Sequence, residues 1–509
     1  MTLLNRLSGL ITRQQLGLLL GPLIFVVVLL SQPFAIPSSA NAALASTLWI
    51  VIWWVTEAIP IPATSLLPIV LFPLTGVVEV RAATAPYADP IVFLLLGGFL
   101  LALGIERWGL HRRIALTVVS FVGVEPSRLL LGFMIATAFL SMWISNSATA
   151  MLMVPIGTAV IVALGTIDEH EHPPAGRSDE EELVADLQVD PEDRPATNFG
   201  LALMLGIAYS ASIGGVATLI GSPPNAVFAG VAASQLDVQI SFLDWLVFAG
   251  PLALIFLFVT WLFLILFLRP QLPLDQDAKK VIQTQREMLG PVSRGERRVL
   301  AIFVLVAAGW LFRPFVLQPL FPAITDTIIA IAGGVLLFVV PVQYKDREFL
   351  LNWEDAARLP WGVLLLLGAG FSLANGFQES GLDTVITQGL GGLAGIPLFA
   401  LLLLVATVVI FLTEVTSNTA TATVFMPIMI SLGVTLSVSP LPLMATAALA
   451  ASLAFMLPVA TPPNAVVFGS GYVTIPQMSR VGFWLNLLGI IALVVLTYLW
   501  LPVALNVAR

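Results

Sequence analysis

Apolar runs of roughly 20 residues recur along the whole of this 509-residue chain, each about the length that crosses the hydrocarbon core of a bilayer. They include Gly17–Ala35, Ser46–Thr56, Pro60–Val78, Pro90–Leu103, Phe248–Leu268, Val299–Val316, Ile324–Val340, Trp361–Leu373 and Phe483–Val503. Hydrophobic residues make up 58% of the chain and charged ones 10%, too few to cover a water-facing surface. The chain is therefore expected to be an integral membrane protein with no separate soluble enzyme domain. It has no cysteine, which excludes disulfides, iron–sulfur clusters and thiol catalysis, and its three histidines leave little for a His-rich metal site. The net charge of −8 argues against nucleic acid as a partner. The first apolar run follows Arg6 and Arg13 like a signal peptide, but with so many spans behind it an uncleaved helix is expected.

Two hydrophilic breaks divide the chain. The loop 168–197 includes Asp168–Arg194, where eleven acidic residues face only Arg177 and Arg194, and it reads as a solvated tract. His170 and His172 within it fit that solvated tract better than a metal site. The second break, 269–298, is a basic linker on the cytoplasmic side. It separates a first half, 43–268, from a second, 299–505, with 1–42 forming an N-terminal region around the first helix.

The halves repeat each other. Phe139-Leu-Ser-Met-Trp-Ile-Ser-Asn-Ser-Ala-Thr-Ala matches Phe411-Leu-Thr-Glu-Val-Thr-Ser-Asn-Thr-Ala-Thr-Ala at a constant offset of 272. Gly221-Ser-Pro-Pro-Asn-Ala-Val matches Ala460-Thr-Pro-Pro-Asn-Ala-Val at an offset of 239, so the first half carries an insertion of about the size of the acidic loop. Such duplication is characteristic of secondary transporters, in which two inverted halves place broken helices at the midplane. A topology with the N-terminus in the cytoplasm, eleven crossings and two re-entrant hairpins leaves only Arg81, Arg313 and Arg509 outside. The other nineteen of the twenty-two Lys and Arg fall inside. The C-terminus is then extracytoplasmic.

Small polar residues at membrane depth need partners, because unsatisfied groups there cost several kcal/mol. Ser145-Asn146-Ser147 and Ser417-Asn418-Thr419 could be glue between helices, but two copies at one offset favour ligand binding. Helix N-termini at these motifs would hold an anion, and Asn and carbonyl oxygens would hold a hard cation such as sodium. Pro223-Pro224 and Pro462-Pro463 remove amide donors, unwind their helices and free carbonyls beside Ser222 and Thr461. Glu414 is the one carboxylate beside a hairpin tip. It fits a proton relay or cation tuning as well as a simple hydrogen-bonded brace. Glu57 reads as structural, Gly97-Gly98 and Gly214-Gly215 as close helix packing, and Trp53-Trp54 as part of an interfacial belt.

These paired motifs, with Trp53-Trp-Val-Thr-Glu-Ala-Ile-Pro, resemble the divalent anion–sodium symporter family of dicarboxylate, citrate and sulfate transporters over about residues 43–505. The resemblance implies an all-α polytopic fold of about eleven transmembrane helices and two hairpins. One hairpin, at about 127–165, opens inward and the other, at about 396–437, opens outward, with helices broken at 221–225 and 460–464. It implies a homodimer in the inner membrane of a bacterium, working by an elevator movement, with no cofactor beyond co-transported sodium. One sodium would be held by Ser141, Ser145, Asn146 and Gly221, and the other by Thr413, Ser417, Asn418 and Ala460. The anion would meet Asn146, Ser147, Ser222, Asn418, Thr419 and Thr461. Ser147 departs from the family's usual threonine, which bears on anion preference rather than fold. Import of a C4-dicarboxylate such as succinate, malate or fumarate is the leading expectation. A sodium-independent exchanger, a sulfate–sodium symporter and a Glu414-dependent antiporter are the alternatives. A membrane enzyme ranks last, because the chain carries no nucleophile–base pair.

Overall fold

The computed structural model describes residues 12–123, 125–165, 198–270, 277–343, 348–393 and 395–505, so the acidic loop and its two histidines lie outside the described residues. The fold is nearly all helical, with one departure from the all-α expectation. Pro341–Gln343 pairs antiparallel with Glu348–Phe349 in a small ribbon. Among the described residues nine helices are long and apolar enough to span a membrane, or ten if one bent pair counts as a span.

The peripheral pair α1 (Arg13–Ser31) and α2 (Ser38–Thr56) begins the chain. Thr12 caps α1 by accepting from the Gln15 backbone N–H, while Gln15 reaches back to the Thr12 N–H. Trp53 donates to the Gly17 carbonyl across the pair, whereas Trp54 is 1% exposed. Two neighbouring tryptophans on a helix point about 100° apart, so only one of them can face α1. The other belongs to the core rather than to a belt at the interface.

Next come α3 (Pro90–Arg107) and the amphipathic α4 (Leu110–Val122). The first hairpin follows as α5 (Pro126–Ser141) and α6 (Asn146–Gly165). A long helix is then broken into α7 (Asn198–Val216) and α8 (Pro223–Leu236), followed by α9 (Phe242–Leu268). Every described side chain of α7 except its first residue is buried, and its sequence has no polar stripe because protein surrounds it on all sides. Between the halves lies α10 (Asp277–Glu287), which packs against α4 and α6.

The second half runs through α11 (Arg294–Phe312), α12 (Asp326–Val339), α13 (Trp361–Ser380) and α14 (Leu382–Gly389). The second hairpin is α15 (Leu398–Thr413) and α16 (Asn418–Thr435). A second broken helix, α17 (Pro440–Ala450) and α18 (Pro462–Phe468), precedes α19 (Ile475–Leu499). Gly97 sits against the Ala330 backbone of α12, where a Cβ would lie 2.6 Å from the main chain, so that glycine does serve close packing. Trp143, in the first hairpin's turn, stacks on Phe242 of α9 and Trp310 of α11, fixing the turn against both helices.

Candidate functional site

Both hairpins unwind for four residues and restart on the repeated asparagine. Ser145 and Ser417 precede the new helices, and their hydroxyls accept from the Ala148 and Ala420 N–H groups at 3.3 and 3.5 Å. This cap explains why serine stands at both positions.

The asparagines turn back onto the preceding helix. In the first half the Ser141 hydroxyl lies 2.6 Å from the Asn146 amide oxygen and donates to the Ala211 carbonyl at 2.6 Å. The same end of the amide is 3.2 Å from the Ala211 carbonyl and 3.3 Å from that of Gly221. With its oxygen there, Asn146 completes a cluster of oxygens from α5, α6, α7 and the break. With its nitrogen there, it donates to all of them. A hard cation favours the first arrangement, because oxygens are the ligands it takes. In the second half the Thr413 hydroxyl donates to Asn418 Oδ1 at 2.7 Å and lies 3.2 Å from the Ala451 carbonyl. Both hydroxyl–amide pairs obey the 272-residue offset.

The two breaks are built alike. Pro223-Pro224 and Pro462-Pro463 occupy the first turns of α8 and α18, and the residues before them, Ser222 and Thr461, are extended at φ −139° and −140°. Asn225 Nδ2 donates to the Gly215 and Thr218 carbonyls at 3.0 and 2.7 Å. Asn464 Nδ2 donates to the equivalent Ala454 and Leu457 carbonyls at 3.3 and 3.0 Å. Sequence reasoning assigned these two asparagines no role. Their place in the repeated Pro-Pro-Asn block was the signal, and their work is to hold the unwound carbonyls in place. Gly221 cannot carry a side chain, because a Cβ there would lie 2.6 Å from the Gly215 carbonyl.

A cavity of about 1010 Å³ collects these elements. Its wall includes Ser145, Asn146, Ser147, Gly221 and Ser222 from the first half and Ser417, Asn418, Thr419 and Ala460 from the second. Ser141 and Thr413 lie behind the wall, fully buried. Thr461 is 3% exposed and caps α18 by accepting from the Asn464 N–H, so its hydroxyl does not line the cavity. The Ser222 hydroxyl instead meets Ser452 Oγ at 3.0 Å across the two halves. Four charged residues at helix ends, Arg13, Glu57, Glu106 and Arg358, also line the cavity and mark its mouth. Glu57 therefore faces the mouth. No group of three or more His, Cys, Asp or Glu gathers among the described residues; away from its mouth, the oxygens the cavity offers are those of hydroxyls, amides and carbonyls.

Glu414 is 3% exposed and accepts hydrogen bonds from four donors. They are the Phe455, Met456 and Leu457 backbone N–H groups, at 2.8 to 3.1 Å, and Asn486 Nδ2 at 2.7 Å. The carboxylate thus ties the second hairpin to the break and to α19. In the first half the opposite chemistry makes the matching tie. Thr218, equivalent to Leu457, donates from its hydroxyl to the carbonyl of Met142, equivalent to Glu414, at 2.5 Å.

Comparison with known proteins agrees with this architecture. A family profile described as the sodium:sulfate symporter transmembrane region matches residues 14–506. The sodium-dependent dicarboxylate transporter SdcS of Staphylococcus saprophyticus is 42% identical over 502 residues, covering 97% of this chain and 92% of its own length. SdcS of Staphylococcus aureus is 41% identical over 501 residues, covering 97% and 93%. Among solved structures, the Alcanivorax borkumensis YdaH transporter aligns at a TM-score of 0.51 and 16% identity, over 83% of this chain and 88% of that one, which bears on the fold alone.

Proposed function

The chain belongs to the sodium:sulfate symporter family, and on that footing we propose that it imports a small dicarboxylate, succinate or a similar C4 dianion, together with sodium. It is a transporter and not an enzyme. The observation that carries the reading is the pair of matched clusters, Ser141 with Asn146 and Thr413 with Asn418, each with its asparagine in the wall of one shared cavity and its hydroxyl behind it. The SdcS proteins supply the substrate class by their names.

In this reading one sodium is held by Ser141, Ser145, Asn146 and the Gly221 carbonyl, the other by Thr413, Ser417, Asn418 and the Ala460 carbonyl. The anion lies between the hairpin tips, met by Asn146, Ser147, Ser222, Asn418 and Thr419. Thr461 joins them only after its hydroxyl leaves the Asn464 N–H. No Lys or Arg stands among these residues. Of the two cavity arginines, Arg13 donates to the Val415 carbonyl in the second hairpin's turn and neither is assigned to the anion, so in this reading helix N-termini and bound sodium neutralise the dianion.

Eleven crossings in two inverted halves remain the best topology. Asn418–Thr435, long enough to count as a span, is a hairpin arm, while Ile61–Leu74, Asp326–Val339 and the broken Pro440–Phe468 segment are crossings of shorter helices. With the N-terminus in the cytoplasm, the mouth beside Arg13 opens inward. Movement of the hairpins and broken helices as one unit within a homodimer completes the elevator cycle. The test is uptake of labelled succinate by the purified protein in liposomes. Uptake driven by an inward sodium gradient and abolished by choline is expected. Equal uptake in both would sink the reading, and sulfate competing better than succinate would move the substrate class.

A further inference from the structure

The cross-repeat contact between Ser222 and Ser452 is assigned to neither the sodium nor the anion set, and it joins them. Ser452 is 1% exposed, does not line the cavity, and lies 3.0 Å from the hydroxyl of Ser222, which does. The carbonyl of its neighbour Ala451 lies 3.2 Å from the Thr413 hydroxyl, which donates to Asn418 Oδ1. One peptide unit therefore separates a carbonyl in contact with the second cation set from the hydroxyl that holds an anion ligand of the first half. We infer that Ser452 is a positioning residue that couples occupancy of the second sodium site to the orientation of the Ser222 hydroxyl. This inference rests on the transport reading above.

The physical argument is local. Ser222 precedes two prolines and is extended like Thr461, but unlike Thr461 its hydroxyl makes no cap bond to its own helix. An uncapped hydroxyl rotates freely among three staggered positions unless a partner fixes it. Ser452 fixes it: when Ser452 donates, Ser222 keeps its own proton free to donate to an anion. Sodium drawing on the Thr413 hydroxyl changes its contact with the Ala451 carbonyl at the start of the break, and Ser452 moves with it.

The other half supplies an internal control. Ser212 follows Ala211 as Ser452 follows Ala451, and the Ala211 and Ala451 carbonyls lie 2.6 and 3.2 Å from the Ser141 and Thr413 hydroxyls, a contact shifted by one residue from the 239-residue offset. Yet the fully buried Ser212 hydroxyl has no hydrogen-bond partner among the described residues. Its counterpart across the halves, Thr461, is engaged in capping α18. The link is therefore closed on one side only, from the second sodium site to Ser222.

The experiment measures succinate KM and maximal rate in liposomes over a series of sodium concentrations for wild type, Ser452→Ala, Ser452→Cys, Ser222→Ala, Ser212→Ala and the Ser222→Ala/Ser452→Ala double variant. Loss of one neutral hydrogen bond corresponds to about fivefold, so Ser452→Ala should raise succinate KM by about that factor at an unchanged maximal rate. It should also flatten the dependence of KM on sodium. Ser452→Cys, of similar size with a weaker donor, should fall between. The double variant should be no worse than Ser222→Ala alone, because contacting residues couple while independent ones add. Additive effects of the two serine variants, or an equal flattening by Ser212→Ala, would overturn the inference and leave the transport reading intact. A wild-type protein without sodium-dependent succinate uptake would overturn both.

Discussion

Glu414→Gln should lower succinate uptake by about 10- to 100-fold and reduce thermal stability in detergent. The carboxylate meets four donors and presents no proton to any of them. A glutamine amide can accept at only one of its two ends, so its NH2 must face a backbone N–H in the membrane interior. Each buried donor left unsatisfied costs about 1–3 kcal/mol, which corresponds to the stated range for one to two groups. The damage should fall first on the second sodium site, since Glu414 adjoins Thr413 and braces the break that carries Ala451. The readouts are initial uptake rate and melting midpoint, with and without sodium. Uptake within about twofold of wild type would show that the brace is dispensable. A proton relay has a different signature, namely loss of pH dependence with the fold and its sodium stabilisation intact.

Gly215→Ala should weaken sodium stabilisation in a protein that still inserts and folds. A methyl group there would lie 2.3 Å from Asn146 Oδ1 and 3.0 Å from its Cγ, so the amide must leave the first oxygen cluster. The neighbouring Gly214 faces the Ala138 backbone at 2.2 Å, which cannot move without parting α5 from α7. The two glycines that read alike in sequence thus have different jobs. Gly214 sets helix packing and Gly215 sets the position of the Asn146 amide. Loss of one ligand bond to a cation is worth about 1.5–3 kcal/mol, so sodium affinity should drop by about 10- to 100-fold. A sodium-dependent melting shift equal to wild type in Gly215→Ala would contradict the assignment of Asn146.

Much of this arrangement was legible because the chain states it twice. The 272-residue offset picked out Ser141 with Thr413 and Asn146 with Asn418, and those residues do form matching hydrogen-bonded pairs. Proline chemistry marked where each broken helix restarts, at Pro223 and Pro462, but not where the unwinding begins, after Val216 and Ala450. What escaped was whatever depends on contacts between distant segments. The donors to Glu414 are main-chain groups about forty residues away and Asn486 on the last long helix, which carry no side-chain pattern to read. The bond between Ser222 and Ser452 joins opposite halves through two common residues. The asparagines of the Pro-Pro-Asn blocks were visible but unassigned, because their targets are backbone carbonyls that exist only once the helix has unwound. The cavity arginines were also out of reach, since helix ends far apart in sequence, at Arg13 and Arg358, meet only in the folded bundle.

The central claim is that bound sodium and helix dipoles, rather than a Lys or Arg in the cluster, neutralise the dianion. Succinate binding to the purified protein by titration calorimetry, in sodium chloride and in choline chloride at equal ionic strength, tests it most directly. The account predicts that succinate affinity falls at least about tenfold without sodium and that succinate tightens sodium binding by the same factor, as linkage requires. Equal succinate affinity in the two salts would contradict it.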